Sequence, residues 1–220
     1  MWWVRDAWFA GLSVAPIGAG DGSRFDAELD EHHWLGHRMV GETMRYVAVD
    51  ANGEWVALVG LASLALSCGP RDRFIGWSQE IQMRRLRFIA SNQRFCILPA
   101  GRRYNAASAV MSRTLKRLSD NWVEAWGHPV LLVESFVDPS RHIGTCYGGS
   151  SFLCLGETAG FGRVAPAAMS PTARSSTSTS VRCTGAVPRC SLGPSTIRCC
   201  SQTKGARWHR SISTPQTSPA

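Results

Sequence analysis

The chain has 220 residues, 24 of them Lys or Arg against 16 Asp or Glu, for a formal net charge of +8. No stretch reaches the ~18 consecutive apolar residues of a membrane-spanning helix, and no membrane partner is expected. The eight cysteines contain no C-x-x-C and no histidine at zinc-ligand spacing, so no metal is expected and the thiols read as those of a reduced, cytoplasmic protein.

Met1 to Gly20 is apolar, but Arg5-Asp6, Pro16 and three glycines interrupt it, a poor fit to a secretory leader. Residues 1–23 are expected to be poorly ordered. Arg24 to Trp34 sets Phe25, Leu29 and Trp34 among charges with Gly36 as a stop, which predicts a short helix. Met44–Asp50 and Trp55–Leu66 are rich in Val, Ala and Leu, and Asn52-Gly53 between them signals a hairpin. Pro70-Arg71-Asp72-Arg73 reads as a charged turn. Ser78 then caps a helix carrying Ile81, Met83, Leu86, Phe88 and Ile89 and closing near Ser91-Asn92.

Arg94–Leu98 predicts a strand stopped by Pro99, and Asn105 opens a helix through Trp122 with Val110, Leu115 and Leu118 on one side. Pro129–Val137 is the near-continuous apolar run of a strand buried on both faces. A helical segment at Arg141–Ser151 and a strand at Phe152–Leu155 follow. The order α-β-β-α-β-α-β-α-β predicts one α/β domain with a mixed sheet over residues 24–164.

Residues 165–220 differ in kind. They hold 19 Ser or Thr, six Pro, four Cys and seven basic residues, and no acidic residue occurs after Glu157. Such a segment buries too little to offset its ordering entropy, so a disordered basic tail is expected. As a natural tail it would associate with nucleic acid through phosphate neutralisation. A shifted reading frame is the competing explanation, and codon structure makes it checkable. Read from each third base, Cys190-Ser191 encodes Leu or Phe, Arg189-Cys190 encodes Leu, Met or Val, and Cys199-Cys200 encodes Leu. Apolar residues are therefore hidden where the chain shows cysteine.

Three groups of residues carry candidate chemistry. Gly101, Arg102, Arg103 and Asn105 lie between a strand and a helix N-terminus, a geometry suited to a phosphate, though the residues alone favour a plain capped helix with solvated arginines. Glu134 is the one acid inside an apolar strand, where it either pairs with an arginine or is poised as a base by desolvation. Cys146 and Tyr147 are a candidate nucleophile and general acid, and Asp138 and Arg141 complete that candidate site. Arg71, Arg73, Trp77, Arg84, Arg85, Arg87 and Arg94 form the densest basic group, which reads either as a nucleic-acid surface or as a solvated helix face. A metal-dependent nuclease would need converging carboxylates, for which Asp50, Asp72 and Glu134 are available.

The segments EHHWLG at Glu31, VGETMRYVA at Val40, PRDRFIGWS at Pro70, SNQRFCILP at Ser91 and LLVESFVDPSRHIGTCY at Leu131, with Leu155-Gly156, resemble the Druantia anti-phage protein A family from Arg24 to Val164. The resemblance implies an origin in defence or mobile DNA, and DNA, RNA or other defence or transposition proteins as partners. Its element order is similar to the N-acetyltransferase (GNAT) superfamily. That similarity implies acetyl-CoA as cofactor, the Asn105 helix as pyrophosphate-binding element and Tyr147 as general acid. An R-x-x-G-x-G/A motif would start at Arg103, and Ala106 stands where its glycine belongs. The readings are a GNAT-like acyltransferase, a nucleic-acid-binding accessory protein, or an inactive frameshifted copy.

Overall fold

In the computed structural model, residues 7–63, 68–158 and 181–186 are described, the last six by backbone alone. Seven strands form one sheet in the order β1-β2-β3-β4-β5-β7-β6. Strands β1 (Ser13–Pro16), β2 (Thr43–Val49), β3 (Trp55–Ser63) and β4 (Ile89–Ile97) run antiparallel to their neighbours. Strand β5 (Leu132–Val137) is parallel to β4, and β7 (Val181–Ala186) lies antiparallel between β5 and β6 (Leu153–Thr158). The domain is a mixed α/β fold built on one mixed sheet, as expected.

The hairpin at Asn52-Gly53 forms as expected, with Gly53 at φ +80° and the Asp50 carboxylate accepting from the Asn52 and Glu54 main-chain N–H groups. Helix α2 (Gly22–His32) buries Phe25 and Leu29 against one face of the sheet, together with Val47, Trp55, Leu58 and Cys96. Helix α5 (Ala106–Trp126) covers the other face. Its Val110, Met111, Leu115, Leu118 and Trp122 pack on Tyr46, Ala48, Val59 and Val133, and Gly127 ends it at φ +75°.

Several expectations change. Residues 7–16, expected to be loose, form α1 (Ala7–Gly11) and edge strand β1, whose Leu12 and Val14 enter the core. Arg117 donates to the Val14 carbonyl and Arg113 to that of Phe9, so α5 ties this segment down. Pro70–Arg73 belongs to a helix, α3 (Gly69–Ile75), because proline is tolerated in a first helical turn.

The helix capped by Ser78 is α4 (Gln79–Arg85), which continues only through a 3-10 turn at Leu86–Phe88. Ile89 to Asn92 belong to β4, since pairing with β3 on one side and β5 on the other outweighs their helical spacing. Val181–Ala186, inside the tail expected to be disordered, supply β7, so backbone pairing with β5 and β6 orders these six residues. Residues 165–180 and 187–220, like Leu64–Leu66 at the predicted end of β3, lie outside the described residues.

Candidate functional site

Strand β4 pairs with β5 only from Ile89↔Leu132 to Asn92↔Ser135. Beyond that point β4 runs on to Ile97 against β3, while β5 runs on to Val137 against β7. Two parallel strands each held by another neighbour therefore part, and a wedge opens between Gln93–Ile97 and Phe136–Val137. The register shift between Gly60 and Leu61 leaves Gln93 without a β3 partner, a bulge at the start of the divergence.

The last paired residues, Asn92 and Ser135, are buried polar side chains on the α5 face, and Tyr147 of α6 (Thr145–Gly148) meets them there. The Asn92 amide lies 2.9 Å from the Tyr147 hydroxyl. The amide orientation that satisfies every neighbour has Nδ2 donating to the Arg94 and Gly60 carbonyls, at 3.0 and 3.3 Å, and Oδ1 accepting from Tyr147. Phe152 and Phe95 stand edge-on to the phenol ring, at 5.0 and 6.3 Å between centroids. Burial pushes the phenol up to about 12, with hydrogen bonding to Ser135 and Asn92 pulling the other way, so Tyr147 is a neutral donor. Asn92 and Ser135 were not singled out from sequence. Their signal was a polar residue inside an otherwise buried strand.

The loop from β4 to α5 forms the upper wall. Gly101 is buried, and a Cβ there would collide with the Val56 carbonyl oxygen, so only glycine lets the chain pass β3 so closely. Arg102, Arg103, Tyr104 and Asn105 are exposed, and Asn105 adopts φ +62° without capping α5 through its side chain. The helix opens onto solvent with its first-turn N–H groups uncapped by any side chain, which favours an anion. Ala106 is buried, so its methyl turns into the core and does not fill that opening. Arg103 lies over the Trp8 ring at 5.3 Å.

Glu134 is one residue from Ser135 and therefore on the other face of the sheet, away from Tyr147. It is fully buried and receives Arg71 Nη1 at 3.2 Å, while Oε1 has no hydrogen-bond partner among the described residues. Burial raises its carboxyl to about 7 against the opposing pull of Arg71. Arg71 is itself fully buried and pairs with Asp72 at 2.9 Å, and Asp72 also accepts from Cys68 N, Trp77 Nε1 and Gln82 Nε2. Glu134 is thus a structural partner of α3 and not a base in the wedge. Cys146 is half-buried against the core and burial raises its thiol pKa, which disfavours the thiolate a nucleophile needs.

The basic group also divides. Arg71 and Trp77 are committed to the Asp72 hub, and Arg94 donates to the carbonyls of Leu35, Gly36, Arg38 and Gln93. None of these three is available to a phosphate. Arg73, Arg84, Arg85 and Arg87 remain exposed, Arg84 paired with Glu80 at 2.9 Å and Arg87 over the Phe88 ring at 4.8 Å. Asp72 and Glu134 meet only through Arg71, Asp50 lies apart at the β2–β3 turn, and no group of three metal-ligating side chains occurs among the described residues. Nor is any helix there long and apolar enough to cross a membrane.

The family model described as Druantia protein DruA matches residues 23–176. The chain belongs to this family. The DruA match extends past the acid-free boundary and past Val164. No curated protein sequence matches the chain. Among solved structures, a spermidine N-acetyltransferase from Vibrio cholerae in complex with CoA and spermine is similar at a TM-score of 0.52 and 11% identity, covering 81% of this chain and 96% of its own. A point variant of the Vibrio cholerae enzyme is similar at 0.51 and 13% identity, over 81% and 95% of the two chains. These likenesses establish the fold of this DruA protein.

Proposed function

We propose that the domain transfers an acyl group from an acyl-CoA, with Tyr147 as proton donor. The wedge between β4 and β5 carries this reading, because it joins an open strand edge, a neutral buried phenol at its apex and an uncapped helix N-terminus at its wall. A neighbour of this fold is in complex with CoA, which supports the choice of donor.

An acyl-CoA supplies the acyl group as a thioester. Arg102 and Arg103 would hold its phosphates through guanidinium charge and Asn105 through its main-chain N–H at the start of α5, while Gly101, whose own N–H and those of Arg102 and Arg103 are taken by loop carbonyls, lets the chain pass close to β3. The open edge of β4 after Asn92 offers main-chain donors and acceptors along the wedge. Asn92 and Ser135 orient the Tyr147 hydroxyl, and Tyr147 delivers its proton to the departing sulfur. The attacking amine releases a proton to solvent, which restores the phenol. The acceptors named for the neighbours are polyamines. Exposed Arg38 and Arg141 on the loops at the wedge would repel a polycation, which disfavours a polyamine as acceptor.

Saturating acetyl-CoA is expected to raise the melting temperature of the protein. Absence of a shift with acetyl-CoA, CoA and longer acyl-CoAs alike would overturn the reading.

A second reading, an inactive frameshifted copy, is favoured by the lack of any acidic residue after Glu157. Resequencing the DNA for Gly156 to Ala220 tests it. A single-base correction that restores an acid-containing, apolar-patterned ending supports it, and a frame without such an alternative removes it.

A further inference from the structure

Two loops meet across the wedge on the face opposite Tyr147. One is His33–Arg38 after α2, pinned to β4 by Arg94 through the Leu35, Gly36 and Arg38 carbonyls. The other, Asp138–Ile143, continues from β5. Asp138 folds it by accepting from Ser140 N and Oγ, at 2.9 and 2.6 Å, while its carbonyl takes the N–H groups of Arg141 and His142. The junction is Arg141, whose guanidinium lies 4.6 Å over the Trp34 ring.

Trp34 is 57% exposed although its loop is fixed on both sides. Nothing in the core requires an indole there, so its placement at a rigid rim calls for a ligand. The cations of the two loops are Arg141, over the ring, and Arg38, four residues beyond Trp34, both exposed. Of the carboxylates nearby, Asp30 holds His37 at 2.7 Å, Asp138 holds Ser140 and Arg141, and Glu31, exposed at the end of α2, lies 3.7 Å from His32. His33 is not a further cation. Burial, with Arg94 and His142 nearby, lowers its pKa to about 4, and its Nδ1 accepts from Leu35 N at 3.2 Å.

We propose that this rim binds a single nucleic-acid strand, with a base stacked on Trp34 and flanking phosphates on Arg141 and Arg38. An aromatic face with arginines on a fixed scaffold is what a strand needs, because every base has a π-face and every linkage a negative charge. The surface differs from the Arg71–Arg94 group suggested by sequence density, three of whose members are engaged internally. The inference stands apart from the acyl-transfer reading, since binding requires no acyl donor.

The test measures fluorescence anisotropy of a labelled 12-nucleotide dT oligomer with the full chain, without CoA, across a salt series. Trp34→Ala is expected to weaken binding about tenfold, with Trp34→Phe close to wild type. Arg141→Ala is expected to weaken it severalfold and to lower the salt slope by about one. Unchanged melting temperatures of these variants establish that they fold. Wild-type affinity in both Trp34→Ala and Arg141→Ala would place binding on the basic tail or on Arg84 and Arg87, and would overturn the proposal. Failure of the wild type to bind, or equal competition by an acidic peptide, would overturn it as well.

Discussion

Glu134 and Ser135 are neighbours in β5, and the two faces they serve could hardly differ more. On the Glu134 face a buried guanidinium joins two carboxylates and, through Asp72, the Trp77 indole and the Gln82 amide. On the Ser135 face neutral groups meet: a phenol, an amide and a hydroxyl at the point where two strands separate. The charged network fastens α3 to the sheet, whereas the neutral cluster stands at an opening where a reacting group can be placed. A buried ion pair is costly to desolvate and costly to break, so it suits an element that must stay in place. A neutral donor can give up its proton without leaving a permanent charge in the core.

The largest effect should come from breaking the charged face. Arg71→Ala leaves the buried Glu134 without its cation and Asp72 with only its neutral donors, and is expected to cost about 3–5 kcal/mol in urea unfolding. Arg71→Met with Glu134→Leu should cost less than either single change to alanine, which would show that the charges are needed only for each other. A full additive loss would mean that the hub does more than satisfy itself.

Tyr147→Phe addresses the neutral face. It removes one hydroxyl from a packed ring, so the fold should persist while acyl-CoA turnover falls about a hundredfold or more, read by thiol release. Unchanged turnover would assign the proton to another group.

A smaller effect concerns pH. The Glu134 carboxyl rises from 4.5 to about 7 on folding, so the folded chain binds more protons than the unfolded chain between those values. Its contribution is fully present below about 4.5 and is lost as pH rises through about 7. The unfolding midpoint of Glu134→Gln should depend less on pH across that window than that of the parent. An identical slope would show that Glu134 is not the titrating group. The smallest effect belongs to the exposed arginines: Arg84→Ala with Arg87→Ala should change stability by no more than about 0.5 kcal/mol per site, since Glu80 and the Phe88 ring are solvent-exposed or partly exposed partners.

The motifs behind the family resemblance pair with one another in space. Arg71 of PRDRFIGWS meets Glu134 of LLVESF, Arg94 of SNQRFCILP holds the loop of EHHWLG, and Asn92 of SNQRFCILP meets Tyr147 at the end of LLVESFVDPSRHIGTCY. Sequence reading named most of these residues but assigned several to the wrong work. Burial decided Arg71 and Arg94, and a run of arginines carries no mark of which members will be buried. The face of Glu134 followed from strand alternation, but its distance from Tyr147 depended on where α6 packs.

What the sequence determined by itself was local: the Asn52-Gly53 turn, the amphipathic α5 and the apolar β5 all follow from backbone preferences and side-chain periodicity within a few residues. Tertiary structure decided the rest. Ile89–Asn92 became strand because β3 and β5 offered partners, Val181–Ala186 became strand because a slot stood open between β5 and β6, and the wedge exists because β4 and β5 each follow a different neighbour. Those outcomes depend on hydrogen bonds between segments tens of residues apart, whose energy no local window of the chain contains.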